Sequence, residues 1–187
     1  MKLSDKIFTV SNLLSLLRLF SAIPFWILLD DFNDPSVRKL LVILAISMAA
    51  TDLLDGYFAR KFNQVTELGK ILDPVADKVV LGVIFLKFYA LGIIPLFFFL
   101  LVIVRDALIL LAGITIKMKF NVVLQSNLLG KITVVFIALV VLLKLLQTDE
   151  SLIYYIIIYY VSMVLIVLSV IIYSVRAINK IRSIRKN

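Results

Sequence analysis

The residues of this chain best suited to chemistry are four aspartates, Asp52, Asp55, Asp73 and Asp77, set between two long apolar runs. Asp52 and Asp55 are spaced i, i+3, and Asp73 and Asp77 are spaced i, i+4, so on helices each pair shares a face. Ionised carboxylates beside a membrane are costly and are normally paired or functional. Divalent metal resolves that cost, and clustered hard oxygen donors suit Mg²⁺, Mn²⁺ or Ca²⁺ rather than Zn²⁺. The chain contains no His and no Cys. Thiolate metal sites and disulfides are thereby excluded, and proton transfer falls to a carboxylate. One carboxylate could stay available to take a proton from an attacking hydroxyl.

The elements that position these acids are membrane helices. Of 187 residues, 63% are hydrophobic, where soluble domains lie nearer half. The sequence predicts an all-α membrane protein, a single domain over residues 1–187 with six transmembrane helices and a short N-terminal interfacial segment. Spans are expected over about Thr9 to Leu29, Val37 to Phe58, Thr66 to Leu91, Ile93 to Ile116, Leu128 to Leu146 and Leu152 to Tyr173, each near the length a bilayer core requires. Between them lie an Asp/Asn-rich turn at 30–35, a basic turn at 60–64, a tight turn at Leu91-Gly92-Ile93, a loop from Lys117 to Asn127 and a polar loop at 148–151. Pro74 either opens the third helix at its first turn or kinks it. The tyrosines Tyr154, Tyr155, Tyr159 and Tyr160 at one end of the last span, with Tyr173 at the other, resemble interfacial belts. The first apolar run carries Asn12 and Arg18 and no small-residue cleavage site, which reads as a retained helix.

Loop charge sets the orientation. The N-terminus, Arg60-Lys61, Lys117 and Lys119, and the tail with Arg176, Lys180, Arg182, Arg185 and Lys186 fall on one side. Asp30, Asp31, Asp34, Asp149 and Glu150 fall on the other, with Arg38 and Lys39 as basic exceptions. The positive-inside rule then places both termini and the four aspartates at the cytoplasmic face. The net charge of +8 fits loops against an anionic leaflet rather than nucleic acid.

The stretch from Asp52 to Asp77 resembles the signature of the CDP-alcohol phosphotransferase family, D-x2-D-G-x2-A-R-x8-G-x3-D-x3-D. Asp52, Asp55, Gly56, Ala59, Arg60, Gly69, Asp73 and Asp77 match it at every fixed position. The resemblance implies a two-ion Mg²⁺ or Mn²⁺ site held by Asp52, Asp55, Asp73 and Asp77, with Asp77 the base that takes the acceptor's proton. It gives Gly56, Ala59, Arg60 and Gly69 to the cytidine diphosphate group. Taken singly, the small residues fit ordinary helix packing equally well.

Outside the signature, Asn12, Arg18 and Pro24 resemble the first helix of the branch that makes phosphatidylglycerophosphate, where the Asn and Arg lie near the nucleotide-lipid site. Arg18 alternatively snorkels to the near surface. Arg105-Asp106 within the fourth span is either a buried ion pair, or Arg105 joins Lys131 in a basic pocket for an anionic acceptor, with Asp106 orienting it. The same branch has an Arg–acid pair in the fourth span and Gly-Lys before the fifth, here Gly130-Lys131. The function implied is transfer of a phosphatidyl group from CDP-diacylglycerol to sn-glycerol 3-phosphate, by a homodimer in the bacterial inner membrane with its active site at the cytoplasmic face. The alternatives are a cardiolipin synthase or another acceptor within the family, and, outside it, a cation transporter. Against the transporter, no second acidic site completes a path across the bilayer.

Overall fold

The computed structural model describes residues 10–61, 69–120 and 127–186, with side chains for all but 10–12, 14, 15, 52–61, 69–77, 185 and 186. The expected interfacial segment at the N-terminus, the turn after Lys61 and most of the loop after Phe120 lie outside the described residues. Six α-helices are described: α1 (Val10–Leu28), α2 (Pro35–Lys61), α3 (Gly69–Ala90), α4 (Leu96–Phe120), α5 (Leu128–Leu145) and α6 (Ile153–Lys186), with a 3₁₀ turn at Leu29–Asp31. No strand occurs among the described residues. The chain divides into two compact units, Met1–Ile93 and Ile94–Asn187.

In the first unit α1 is the shared partner, packing against both α2 and α3. Phe25 of α1 meets Phe88 of α3 edge-on, with ring centroids 6.4 Å apart. Leu29, Leu41 and Phe85 are buried beside them. Asp34 and Pro35 start α2 as a cap and first-turn residue should: the Asp34 carboxylate accepts from the Ser36 N–H at 2.7 Å, and Pro35 sits where no intrahelical N–H is needed. Pro74 lies inside α3 rather than at its opening. The C-terminus of α3 is closed by Gly92, whose φ of +70° suits glycine. Its N–H donates to the Tyr89 carbonyl and the Ile93 N–H to the Phe88 carbonyl, both at 2.9 Å, the pairing of a Schellman turn.

In the second unit α6 is the shared partner, packing against α4 and α5. Phe98, Val140, Leu145 and Ile166 are buried there. Asn127 caps α5, its side chain accepting from the Gly130 N–H at 2.7 Å. Tyr159 lies between Phe98, at 5.1 Å, and Tyr155, at 6.0 Å. Part of the expected tyrosine belt is therefore packing, while Tyr154 and Tyr160 remain exposed.

Several helix ends differ from expectation. α2 does not stop at Phe58 but takes in Arg60 and Lys61, which were expected in the turn. α4 does not stop at Ile116 but continues through Lys117 and Lys119 to Phe120. Cations in a last turn are favoured by the negative end of the helix dipole. α6 does not stop near Tyr173 but runs to Lys186. No Gly or Pro interrupts it, and a buried Ala177 with half-buried Ile181 and Ile184 maintains an inward stripe.

Three helical segments are long and apolar enough to cross a membrane among the described residues: Leu96–Phe120, Leu128–Leu145 and Ile153–Ile184. Their outward side chains, including Leu108, Leu111, Val135, Val164, Val167 and Ile171, are exposed. An apolar surface of that extent requires a lipid environment.

Candidate active site

Placed on the helices, the signature becomes two stripes. Asp52, Asp55, Gly56, Ala59 and Arg60 fall in the last three turns of α2, and Gly69, Asp73 and Asp77 in the first turns of α3. At about 100° per residue, positions 52, 56 and 59 share one face of α2 with 55 and 60 flanking it. Positions 69, 73 and 77 follow one another along one face of α3 at steps of about 6 Å. The side chains of these eight residues, and that of Asn12 in the first turn of α1, lie outside the described part of the structure. What the backbone adds to the sequence is that both acid-bearing helices pack on the same partner, α1.

Arg18 stands midway along α1 and is 4% exposed. It does not snorkel to the surface. A cation held inside the helix group that carries four carboxylates is suited to an anionic ligand or to those acids themselves.

The residues expected to bind the acceptor belong to the second unit. Arg105 is 5% exposed and bonded on all three nitrogens. Its Nη1 donates to Asp106 Oδ1 at 2.5 Å, its Nε to Ser169 Oγ at 3.2 Å, and its Nη2 to the Gly130 carbonyl at 3.3 Å. The ion pair with Asp106 is thus present. The bond to Gly130 also brings Arg105 to the turn that carries Lys131, which is exposed. The Ser169 hydroxyl in turn donates to the Ile166 carbonyl at 2.8 Å. A Cβ at Gly130 would meet Asn127 Oδ1 at 2.8 Å, so the capping side chain would have to shift to admit it.

Sequence reasoning overlooked two of these participants, Ser169 and Asn127, and two further lysines. Ser169 reads as one small polar residue in an apolar run, and its role depends on a contact 64 positions away. Asn127, directly before an apolar run, carried a cap signal that was available. The lysines, Lys87 and Lys144, are the basic residues in the last turns of α3 and α5. Lys87 Nζ pairs with Asp30 at 2.5 Å and lies 4.8 Å from the Trp26 ring centroid. Lys144 Nζ pairs with Glu150 at 2.5 Å and lies 5.5 Å from the Tyr155 ring centroid. Beside Lys144 is a cavity of about 210 Å³ bounded by Pro95, Glu150 and Tyr155, Tyr159 and Tyr160. It contains no signature residue.

Comparison with known proteins decides the family. The sequence pattern of the CDP-alcohol phosphatidyltransferases matches residues 8–174. The chain belongs to this family. A CDP-diacylglycerol--glycerol-3-phosphate 3-phosphatidyltransferase of Aquifex aeolicus is 40% identical over 138 residues, covering 70% of this chain and 71% of the relative. A protein of the same name from Rickettsia bellii is 46% identical over 71 residues, covering 38% of this chain and 39% of the relative. A cardiolipin synthase (CMP-forming) of Streptomyces coelicolor is 34% identical over 131 residues, covering 68% and 60%. The match of the family pattern spans both units, so membership does not rest on the acidic signature alone.

The donor set fits a divalent metal. Each of two helices sharing one partner places a carboxylate pair within a helical turn, and the chain offers neither thiolate nor imidazole. Such all-oxygen sets suit Mg²⁺ and Mn²⁺.

Proposed function

We propose that this family member transfers the phosphatidyl group of CDP-diacylglycerol to sn-glycerol 3-phosphate, giving phosphatidylglycerophosphate and CMP. The observation that carries the reading is the complete signature, falling on one face of α2 and one face of α3, helices that share α1 as partner. The names of the Aquifex and Rickettsia relatives supply the acceptor.

Asp52, Asp55, Asp73 and Asp77 would hold two Mg²⁺ or Mn²⁺ ions, which when bound polarise the phosphoryl oxygens and offset charge on the departing CMP. Arg60 binds the diphosphate, where a guanidinium can fork onto two oxygens. Asn12, Arg18, Gly56, Ala59 and Gly69 line the place of the cytidine diphosphate, the small residues allowing close approach of backbone to ligand. Asp77 accepts the proton of the attacking glycerol hydroxyl. That oxygen forms a bond to the lipid-bearing phosphorus, the bond from that phosphorus to the bridging oxygen breaks, and CMP departs with the electron pair. Arg105 and Lys131 receive the phosphate of the acceptor. Three of the five guanidinium N–H groups serve Asp106, Ser169 and Gly130, which leaves two to donate to a phosphate oxygen.

The protein acts as one domain of six membrane helices, multi-pass in a bacterial inner membrane, with both termini and the four aspartates at the cytoplasmic face where the nucleotide is available. A homodimer is its working form. A second reading is favoured by the Streptomyces relative: phosphatidylglycerol as acceptor and cardiolipin as product. Purified protein offered CDP-diacylglycerol with glycerol 3-phosphate, inositol phosphate or phosphatidylglycerol, each separately, separates the readings when CMP is quantified and the lipid product weighed by mass spectrometry. Phosphatidylglycerophosphate formed only with glycerol 3-phosphate is the expected result. Cardiolipin formed from phosphatidylglycerol moves the enzyme to the second reading.

A further inference from the structure

Helix α6 is longer than a membrane needs. Its 34 residues extend about 51 Å, against about 30 Å for a hydrocarbon core. Starting at Ile153, the core is crossed by about Tyr173, and the helix continues without a break for thirteen more residues, about 20 Å. That extension is one-signed. Arg176, Lys180, Arg182, Arg185 and Lys186 lie within it, and no Asp or Glu follows Glu150 in the chain. It is also two-faced. Ala177 is buried and Ile181 and Ile184 are half-buried, while Arg176, Asn179, Lys180, Arg182 and Ser183 are exposed. At 100° per residue, Arg176, Asn179, Lys180 and Ser183 share one stripe. None of the three described cations has a carboxylate of its own helix within reach. By its rise, Arg176 stands at headgroup depth and Lys180 at its outer limit.

We propose that the exposed stripe Arg176–Lys180, with Arg182, is an arm that binds the phosphates of anionic phospholipids at the membrane surface. Charge complementarity selects this occupant. Clustered cations directly beyond a span attract anionic headgroups, an attraction confined to about a Debye length. The proposal does not depend on the reaction assigned above, and its test does not use turnover.

The chain has no cysteine, so Ser183→Cys provides a unique attachment point at an exposed position. The full-length labelled protein is placed in nanodiscs of phosphatidylcholine alone or with about 30 mol% phosphatidylglycerol, and collision of the nitroxide with a neutral water-soluble relaxation agent is measured. The expected result is at least a twofold drop in accessibility in the anionic discs. It should be reversed by about 0.5 M KCl and absent in a Ser183→Cys variant that also carries Arg176→Glu, Lys180→Glu and Arg182→Glu. Equal accessibility in both discs overturns the proposal. So does a drop that survives both salt and charge reversal, because that would mark apolar insertion instead.

Discussion

The two halves of the molecule solve the same packing problem and differ in what they do with charge. Each gathers its helices on one partner, α1 in the first unit and α6 in the second. Each buries an arginine, Arg18 or Arg105. Each also ends a helix with a mostly buried lysine that pairs with an exposed loop carboxylate and lies over an aromatic ring. The difference lies in the acids. In the second unit Arg105 has its counter-ion next to it in sequence, and Lys144 pairs with Glu150 six residues on. The first unit carries the four aspartates of the signature along α2 and α3. Within one chain, the second unit thus shows charges paired inside the fold, against which the clustering of the signature acids along α2 and α3 stands out.

The comparison breaks most visibly at Asp77. Asp77→Asn should lower kcat for CMP release by about 10²–10⁴-fold, the range of a lost general base, with the thermal transition of the purified protein unchanged. If the mutant instead melts early with normal kcat, the acid is structural. In the second unit the order reverses. Arg105→Ala removes a donor shared by Asp106, Ser169 and the Gly130 carbonyl inside the helices and should cost about 3–5 kcal/mol of stability. Denaturation in detergent measures it, and Arg105→Ala combined with Asp106→Ala should recover part of the loss. A double variant no more stable than the single one would show that the pair does not act as a unit.

The lysine contacts sharpen the comparison because they are near copies. Asp30 and Glu150 are 59% and 66% exposed on their side chains, so solvent screens both pairs. Lys87→Met and Lys144→Met should each cost about 1 kcal/mol or less, equally in the two halves. A much larger cost for Lys144→Met would assign work to the cavity beside it. The smallest effect concerns acid. Asp34 and Asp149 are held below the usual carboxylate value of 3.8, chiefly by the N–H groups of Ser36 and Ser151 respectively. A depressed pKa contributes stability above the unfolded value, and that contribution is lost as pH falls through the folded value. Asp34→Asn and Asp149→Asn should therefore lower the melting temperature slightly near neutrality and flatten its decline below about pH 4, where the variants and the parent converge.

Much of this arrangement was legible in the sequence, for physical reasons. Helix positions follow from apolar runs punctuated by Asp34-Pro35 and Gly92, whose backbone demands are local. The acid stripes follow from spacing alone, since steps of three and four residues return to the same helix face. The ends of α4 and α6 were misplaced because basic residues signal the membrane boundary rather than the end of the helix. Lys119 and Arg176 leave the hydrocarbon, but nothing in their neighbourhood stops helical hydrogen bonding. The bonds of Arg105 to Ser169 and Gly130, and of Lys87 to Asp30, join positions far apart in sequence, and no local pattern encodes them.

The central claim is that acids from α2 and from α3 form one site. Mn²⁺ titration of the purified protein, followed by electron paramagnetic resonance, tests it directly with Asp52→Asn, Asp55→Asn, Asp73→Asn and Asp77→Asn. The account predicts that a substitution on either helix weakens Mn²⁺ binding at least tenfold. Binding that is lost with the α2 variants but retained in full by both α3 variants, or the reverse, would contradict it.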